Sequence, residues 1–312
     1  MTTDTSPFHT GERAIQERFG LRDKIEKIGR KVIRSYMVEQ HQAFFEQLPS
    51  IFLGWQDDQG WPWATVLTGA PGFLDASDGT VLRVNALPSK DDPLRKHLTA
   101  GAKIGGLGLQ FETRRRNRLN GAVGTVDDTG FGITVEQSFG NCPQYIQTRD
   151  VVASAAPKEA TTETFDIMDT SDIALIERSD TLFIATSAGR ADGSAAEGAD
   201  ASHRGGKPGF VQVTEDGVLE FPDYAGNRQF STLGNISLTG RAGLLFIDFE
   251  NGDLLRLTGN AEIVWDGPDV DALPGAERII RIRPTKGVRI IGGMPIQWRF
   301  GEYSPFLDRL SE

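Results

Sequence analysis

The chain has 312 residues, 38% hydrophobic and 24% charged, a composition typical of globular proteins and a length that suits two domains better than one. Its net charge of −10 repels nucleic-acid backbones and anionic membranes, so we expect neither as a partner, although a local basic cluster can still bind one small anion. Cys142 is the single cysteine, which excludes an internal disulfide and multi-cysteine metal sites.

Targeting and metal signals are lacking in the sequence. No apolar run has the length of a signal-peptide core or a membrane span. The four histidines show no spacing typical of metal ligands. We therefore expect a soluble cytoplasmic protein without a metal site.

Residues 1–48 are predicted to form an N-terminal helical segment. Ile25, Ile28, Val32 and Tyr36 recur at intervals of three and four, which is the spacing of one apolar helix face. A second helix is predicted for residues 39–47 and should end before Leu48-Pro49.

Residues 49–152 are predicted to form a first β domain. The apolar runs 51–55 and 61–67 flank a turn sequence and indicate a hairpin. Further strands are predicted at 80–85, 103–111, 118–126 and 130–136, with one helix at 93–98. Because strands outnumber helices and do not alternate with them, the pattern favours a mainly β fold over a doubly wound one.

Residues 153–170 are rich in Ala, Thr, Pro and Glu and are interpreted as a linker or surface excursion before a second domain, 171–312. That domain begins with a helix at 171–178 and has predicted strands at 181–186, 209–213, 218–221, 242–249 and 253–263. Asn251-Gly252 between two apolar runs is a strong hairpin signal. The stretch 187–206, rich in small residues, is predicted to be disordered or a lid.

The two β domains match each other in order. The strand 102–111 followed by Arg118-Leu119-Asn120-Gly121 corresponds to 241–249 followed by Arg256-Leu257-Thr258-Gly259. A tandem repeat of one β unit explains this order.

Two segments of the second domain carry groups suited to a phosphate. Residues 202–210 contain Arg204, Lys207 and three glycines, and glycine lets the backbone approach an anion while arginine offers a planar pair of donors. Residues 223–235 supply amide, guanidinium and hydroxyl donors, joined by free backbone N–H groups if a helical turn begins there. Either segment alone could be a solvated loop or a capped connector, but the pair predicts a phosphate site.

Two other features have open interpretations. Arg114-Arg115-Arg116 with Arg118 could bind an anion at the end of a strand or could charge a sheet edge against aggregation. Cys142 could be a reactive thiol, but we expect a small buried apolar residue.

Several of these segments resemble the pyridoxamine 5′-phosphate oxidase-related, FMN-binding split-barrel family. The segments in the second domain are 202–210, 227–235, 243–249 and 256–262, and residues 114–121 and 138–146 resemble the larger two-barrel members. The resemblance extends from Phe8 to about Val264. It implies a mainly β fold with flanking helices, built as two tandem split β-barrels of the FMN-binding type, and it suggests a homodimer.

The resemblance also implies FMN as the cofactor and a set of residues that would bind it. Carried over by position, this set is Arg204, Lys207, Asn227, Arg228, Ser231, Thr232 and Asn235. No catalytic side chain is assigned, because hydride acceptance belongs to the flavin itself. Vitamin B6 oxidation is not expected, because residues 210–213 carry no arginine or lysine where the true oxidases have both.

The sequence thus predicts an FMN-dependent oxidoreductase that acts on an unidentified small molecule with a separate electron donor. A deazaflavin-dependent oxidoreductase of the same fold and a non-catalytic module that binds flavin or haem are the alternatives. The first domain has Pro88-Ser89-Lys90-Asp91-Asp92 in place of the Asn-Arg-x-x-Ser-Thr pattern, so one cofactor site per chain is predicted.

Overall fold

The computed structural model describes residues 6–90, 92–154, 160–189 and 195–310. They form two large antiparallel β-sheets with helices at their edges, which confirms the predicted mainly β fold of two tandem split-barrel halves. None of the described helices is both long and apolar enough to span a membrane.

The first half starts with three helices and continues as a seven-stranded sheet. The helices are α1 (Thr10–Arg18), α2 (Arg22–Val32) and α3 (Glu39–Glu46). The sheet and its helix are β1 (Ser50–Gln56), β2 (Pro62–Thr68), β3 (Leu74–Asp75), β4 (Val81–Val84), α4 (Pro93–His97), β5 (Lys103–Gln110), β6 (Arg115–Val126) and β7 (Phe131–Asn141). The predicted hairpin is β1 and β2, which pair along their full length.

The second half has an eight-stranded sheet. Its first elements in chain order are β8 (Arg149–Ser154), which lies outside this sheet, β9 (Thr161–Phe165), which belongs to it, and α5 (Thr170–Arg178). The other elements are β10 (Thr181–Ser187), β11 (Ala199–Gly205), β12 (Gln212–Val213), β13 (Leu219–Tyr224), α6 (Ser231–Thr239), β14 (Arg241–Ile247), β15 (Leu254–Val264), α7 (Pro268–Asp271), β16 (Ala276–Ile291), β17 (Ile296–Phe300) and α8 (Pro305–Asp308). In addition, β9 pairs with β16, and β17 pairs with β8.

Both sheets have the same strand order, which confirms the predicted repeat. The first runs β2-β1-β5-β6-β7-β4-β3 and the second β11-β10-β14-β15-β16-β13-β12. One helix, α4 or α6, lies between the fourth and fifth strands of each unit in chain order. Arg118 and Arg256 occupy equivalent positions, because they pair with Leu107 and Leu245 in corresponding strands.

Two stretches differ from the sequence prediction. Part of the proposed linker 153–170 is the strand β9, which extends the second sheet. The prediction that 187–206 is disordered or a lid is wrong for its second part, because β11 pairs with β10 over seven residues. Strand β11 is rich in Ala, Ser and Asp, so its pairing with β10 and its contacts with the other half, rather than intrinsic β propensity, stabilise its conformation. Residues 190–194 lie outside the described residues.

The two halves cross with their backbones in direct contact. A Cβ atom on Gly105 of β5 would lie 2.6 Å from the Cα of Asp200 in β11, and one on Gly243 of β14 would lie 2.3 Å from the carbonyl oxygen of Pro62 in β2. These two crossings are equivalent in the repeat. Between them Phe52 of β1 stacks on Phe183 of β10, with ring centroids 3.6 Å apart. The larger hydrophobic core accordingly contains residues of both halves.

We predict that Gly243→Ala lowers the free energy of unfolding by about 2 kcal/mol, because the new methyl group would overlap the backbone of Pro62 and force the halves apart. Chemical denaturation measures this change. Gly140→Ala in β7 is the control, since its methyl group would meet only Asn117 at 3.5 Å and His41 at 4.0 Å. Equal stability of the two variants would contradict the close crossing.

Candidate functional site

A polar cavity of about 110 Å³ lies between the two halves. The first half contributes β6, the end of β7 and residues 142–145. The second half contributes β11, β13, the start of α6 and the start of β16. A single chain therefore supplies walls from both units of the repeat.

Five arginines but only two carboxylates line this cavity, in a protein whose net charge is −10. Three of the arginines pair with the two acids. Arg204 and Arg278 both pair with Asp223, at 3.1 and 3.0 Å, and Arg228 pairs with Glu277 at 2.6 Å. The lining residues therefore carry an excess of positive charge, and the remaining two arginines, both on β6, contribute to it.

These two arginines lie on one face of β6 because residues two apart in a strand point the same way. Arg118 is buried and reaches across to β11, where it pairs with Asp200 at 2.9 Å and donates to Ser202. Arg116 donates through Nε to the carbonyl oxygen of Cys142 at 2.7 Å. No carboxylate among the described residues pairs with Arg116. Its charge is therefore available to a ligand.

The pKa shifts in the cavity agree with a positive potential. Burial, together with the charges of Arg118 and Arg204, lowers the pKa of Arg116 to about 9, so the side chain is still charged at neutral pH. Burial and the neighbouring arginines, first Arg116, hold the pKa of His203 well below its usual range. The imidazole is thus neutral at pH 7. Both effects would be relieved by an anion.

Three buried nitrogen atoms of the lining residues have no hydrogen-bond partner in the described part of the chain. They are Nε of Arg118, Nε2 of His203 and Nε of Arg278. An unsatisfied buried donor costs roughly 1–3 kcal/mol, and more when it is charged. Such unsatisfied groups are uncommon in folded proteins, and here three of them belong to residues around one cavity.

The start of α6 adds neutral donors to the same wall. Phe230, its N-cap residue, has a left-handed backbone and provides no side-chain cap. Ser231 is the first residue of the helix, and the buried Thr232 donates its hydroxyl to Ser202 at 3.1 Å. The uncapped N-terminus of a nine-residue helix presents backbone N–H groups to an anion.

Backbone strain is concentrated at this cavity. Of the four non-glycine residues with positive φ in the described ranges, Tyr145, Arg228 and Phe230 line it. The fourth, Arg114, lies two residues before Arg116. Strained residues cluster at functional sites because the surrounding structure must hold a particular geometry there.

Five of the seven predicted cofactor residues line the cavity: Arg204, Asn227, Arg228, Ser231 and Thr232. The other two lie elsewhere. Lys207 is exposed, with Nζ 3.5 Å from Asp308, and Asn235 is buried on α6, where it donates to Thr186 at 2.9 Å. Whether any of these residues binds a cofactor stays a prediction.

Sequence reasoning missed several lining residues and left others undecided. Ser202 and His203 were part of a predicted loop, yet they belong to β11. Of the arginine cluster, Arg116 and Arg118 face the cavity, whereas Arg114 binds Glu302 at 2.9 Å on another surface. The expectation that Cys142 is buried is wrong, because it is partly exposed and lines the cavity.

The equivalent region of the other unit is filled with apolar side chains. The register of the strands makes Leu254 equivalent to Arg116, Ile290 equivalent to Asn141 and Val66 equivalent to His203. All three apolar residues are buried in the larger core. The repeat creates two equivalent regions. One of them is a polar cavity, and the other is filled by core side chains.

No family model and no curated protein matches the chain. Solved structures similar to it include HupZ from Group A Streptococcus, with 18% identity over 38% of this chain and 90% of that chain and a TM-score of 0.30. A candidate pyridoxamine 5′-phosphate oxidase from Lactobacillus delbrueckii has 12% identity over 39% of this chain and 94% of that chain, with a TM-score of 0.31. An FAD-binding protein from Mycobacterium smegmatis has 14% identity over 42% of this chain and 99% of that chain, with a TM-score of 0.26.

These TM-scores and identities are low, so the matches carry no argument about a ligand or a reaction. The strand order and pairing of this chain carry the description of the fold. Two sheets of equal strand order agree with the two-unit, mainly β fold that the resemblance implies.

Proposed function

We propose that the cavity binds the phosphate group of FMN, and that the protein is an FMN-dependent oxidoreductase acting on a small molecule with a separate electron donor. The observation that carries the proposal is the guanidinium of Arg116, which faces the cavity without a carboxylate partner among the described residues. A phosphate ester brings the opposite charge and several acceptor oxygens.

Different residues of the cavity would contribute charge, neutral donors and orientation to phosphate binding. Arg116 supplies the charge opposite to that of the phosphate, and Ser231 with the N–H groups of α6 supplies neutral donors. Arg204 and Arg228 are held by carboxylates, so their planes are oriented before a ligand arrives. Bound flavin would supply the hydride-accepting chemistry. The protein contributes binding, orientation and exclusion of water.

The size of the cavity limits what lies inside it. A volume of about 110 Å³ suits a phosphate group and a few adjoining atoms but is too small for a whole flavin nucleotide. We therefore expect the ring system to extend out of this volume. Since both halves of one chain form the walls, phosphate binding does not require a second copy, and the homodimer stays a separate prediction that light scattering can check.

We predict that Arg116→Ala weakens FMN binding about 10-fold or more, because a charge-assisted hydrogen bond contributes roughly 1.5–3 kcal/mol. Quenching of flavin fluorescence by the protein measures the affinity. Lys207→Ala is the matched control, since it also removes one positive charge but lies outside the cavity, and it should bind FMN like the wild type.

Several outcomes would reject the FMN proposal. Equal affinities of Arg116→Ala and the wild type would remove the proposed phosphate contact. Binding of a deazaflavin but not FMN would favour the deazaflavin-dependent alternative, and FAD serves as a further comparison. A colourless protein that ignores added flavin, or one that shows a Soret band with haem, would favour the non-catalytic alternative.

We also predict one FMN per chain, because the equivalent region of the other unit is closed by Leu254, Ile290 and Val66. Native mass spectrometry of the FMN-loaded protein measures this ratio directly. A ratio of two flavins per chain would show that the packed region opens, and it would contradict the asymmetry described above.

A further inference from the structure

The first helix lies unusually close to the helix whose N-terminus borders the cavity. A Cβ atom on Gly11 of α1 would lie 2.4 Å from the carbonyl oxygen of Gly234 in α6, and one on Gly234 would lie 2.7 Å from the backbone nitrogen of Glu12. The two glycines therefore permit backbone contact between the helices. This contact fixes Glu12 beside the first turn of α6.

The side chain of Ser231 lies between Glu12 and the cavity. Its carboxyl group is buried, with 5% of the residue exposed, and its Oε2 accepts a hydrogen bond from the backbone N–H of His9 at 3.0 Å. Ser231 stands three residues before Gly234 and therefore on the same face of α6, and its hydroxyl is among the groups that lower the pKa of Glu12. Ser231 lines the cavity as the first residue of α6. Glu12 thus lies directly behind the proposed phosphate site.

The charged groups around Glu12 do not favour a carboxylate there. Arg118 of β6 is the nearest cation, but it is paired with Asp200 of β11 at 2.9 Å. On the side of α1, His9 accepts a hydrogen bond from the N–H of Gly11 through Nδ1 at 3.1 Å, and its Nε2 lies 3.4 Å from Oε2 of Glu12. Burial raises the pKa of Glu12 to about 8, and Asp200 acts in the same direction. Glu12 is therefore protonated at neutral pH.

We propose that Glu12 is a positioning residue that sets the direction of the Ser231 hydroxyl towards the anion. A protonated Glu12 can donate to Ser231 Oγ, which leaves the hydroxyl proton of Ser231 free to point into the cavity. An ionised Glu12 can only accept, so it takes the proton of Ser231 and turns the lone pairs of Ser231 towards the anion. The inference rests on the proposed phosphate site and predicts that its affinity falls as Glu12 loses its proton.

Sulfate is the probe for this inference, because it keeps both charges throughout the range from pH 6.5 to 9. Calorimetric titration of the wild type should show an affinity that falls about tenfold across this range, since a hydrogen bond to a charged group is lost. Glu12→Gln keeps an N–H donor for Ser231 and cannot ionise. Its affinity for sulfate should therefore fall only by the smaller amount that titration of Arg116 causes. His203 stays neutral throughout and contributes no step.

Two further measurements distinguish positioning from a structural role. Infrared difference spectra between pH 6.5 and 9 should show loss of a carboxylic-acid band in the wild type and no such loss in Glu12→Gln. Ser231→Ala should bind sulfate more weakly at pH 7 and lose the pH-dependent step while it keeps the infrared band. Because the folded-state pKa of Glu12 is raised, its ionisation destabilises the fold, so the melting temperature of the wild type should fall relative to Glu12→Gln as pH rises to 9.

The outcomes separate the two proposals. If the wild type binds neither sulfate nor FMN at any of these pH values, the phosphate site and the role of Glu12 are both rejected. If the wild type binds sulfate with the same pH profile as Glu12→Gln, only the role of Glu12 is overturned. The same holds if Ser231→Ala keeps the pH-dependent step.

Discussion

The site depends on the close crossing of the two sheets. Where Gly105 of β5 meets Asp200 of β11, no side chain separates the two backbones, so the edges of both halves are brought within reach of each other. Asp200 can then pair with Arg118, and Ser202 and Thr232 join the same hydrogen-bonded group. The cavity wall is therefore a direct result of how the halves pack.

Two equivalent buried arginines, Arg118 and Arg256, connect the halves through ion pairs. Arg118 reaches Asp200 and Ser202 in the other half, and Arg256 likewise reaches Asp92 and Thr65. Burying such pairs carries a desolvation penalty that their attraction only partly offsets, so they add little net stability. Their geometric demands restrict how the halves can dock. Arg118 also lines the cavity, whereas apolar side chains fill the equivalent region near Arg256.

The sequence predicts the parts of the fold that depend on local signals. The hairpin at Asn251-Gly252 and the repeated Arg-Leu-x-Gly pattern are both visible in the chain. Strand β11 is not, because its small polar residues have low β propensity and the strand depends on pairing with β10 and packing against β5. The site was predicted in part for the same reason: Ser231 and Thr232 belong to one local segment, whereas the role of Arg116 depends on residues about ninety positions away.

Because both halves belong to one chain, equivalent positions in the two halves can be substituted independently. In a symmetric pair of identical chains, every substitution occurs twice, so a residue that improves packing at one site is forced on the other. Here each position is encoded separately. Leu254 packs in the larger core while Arg116, at the equivalent position, lines the cavity, a difference that two identical chains could not encode.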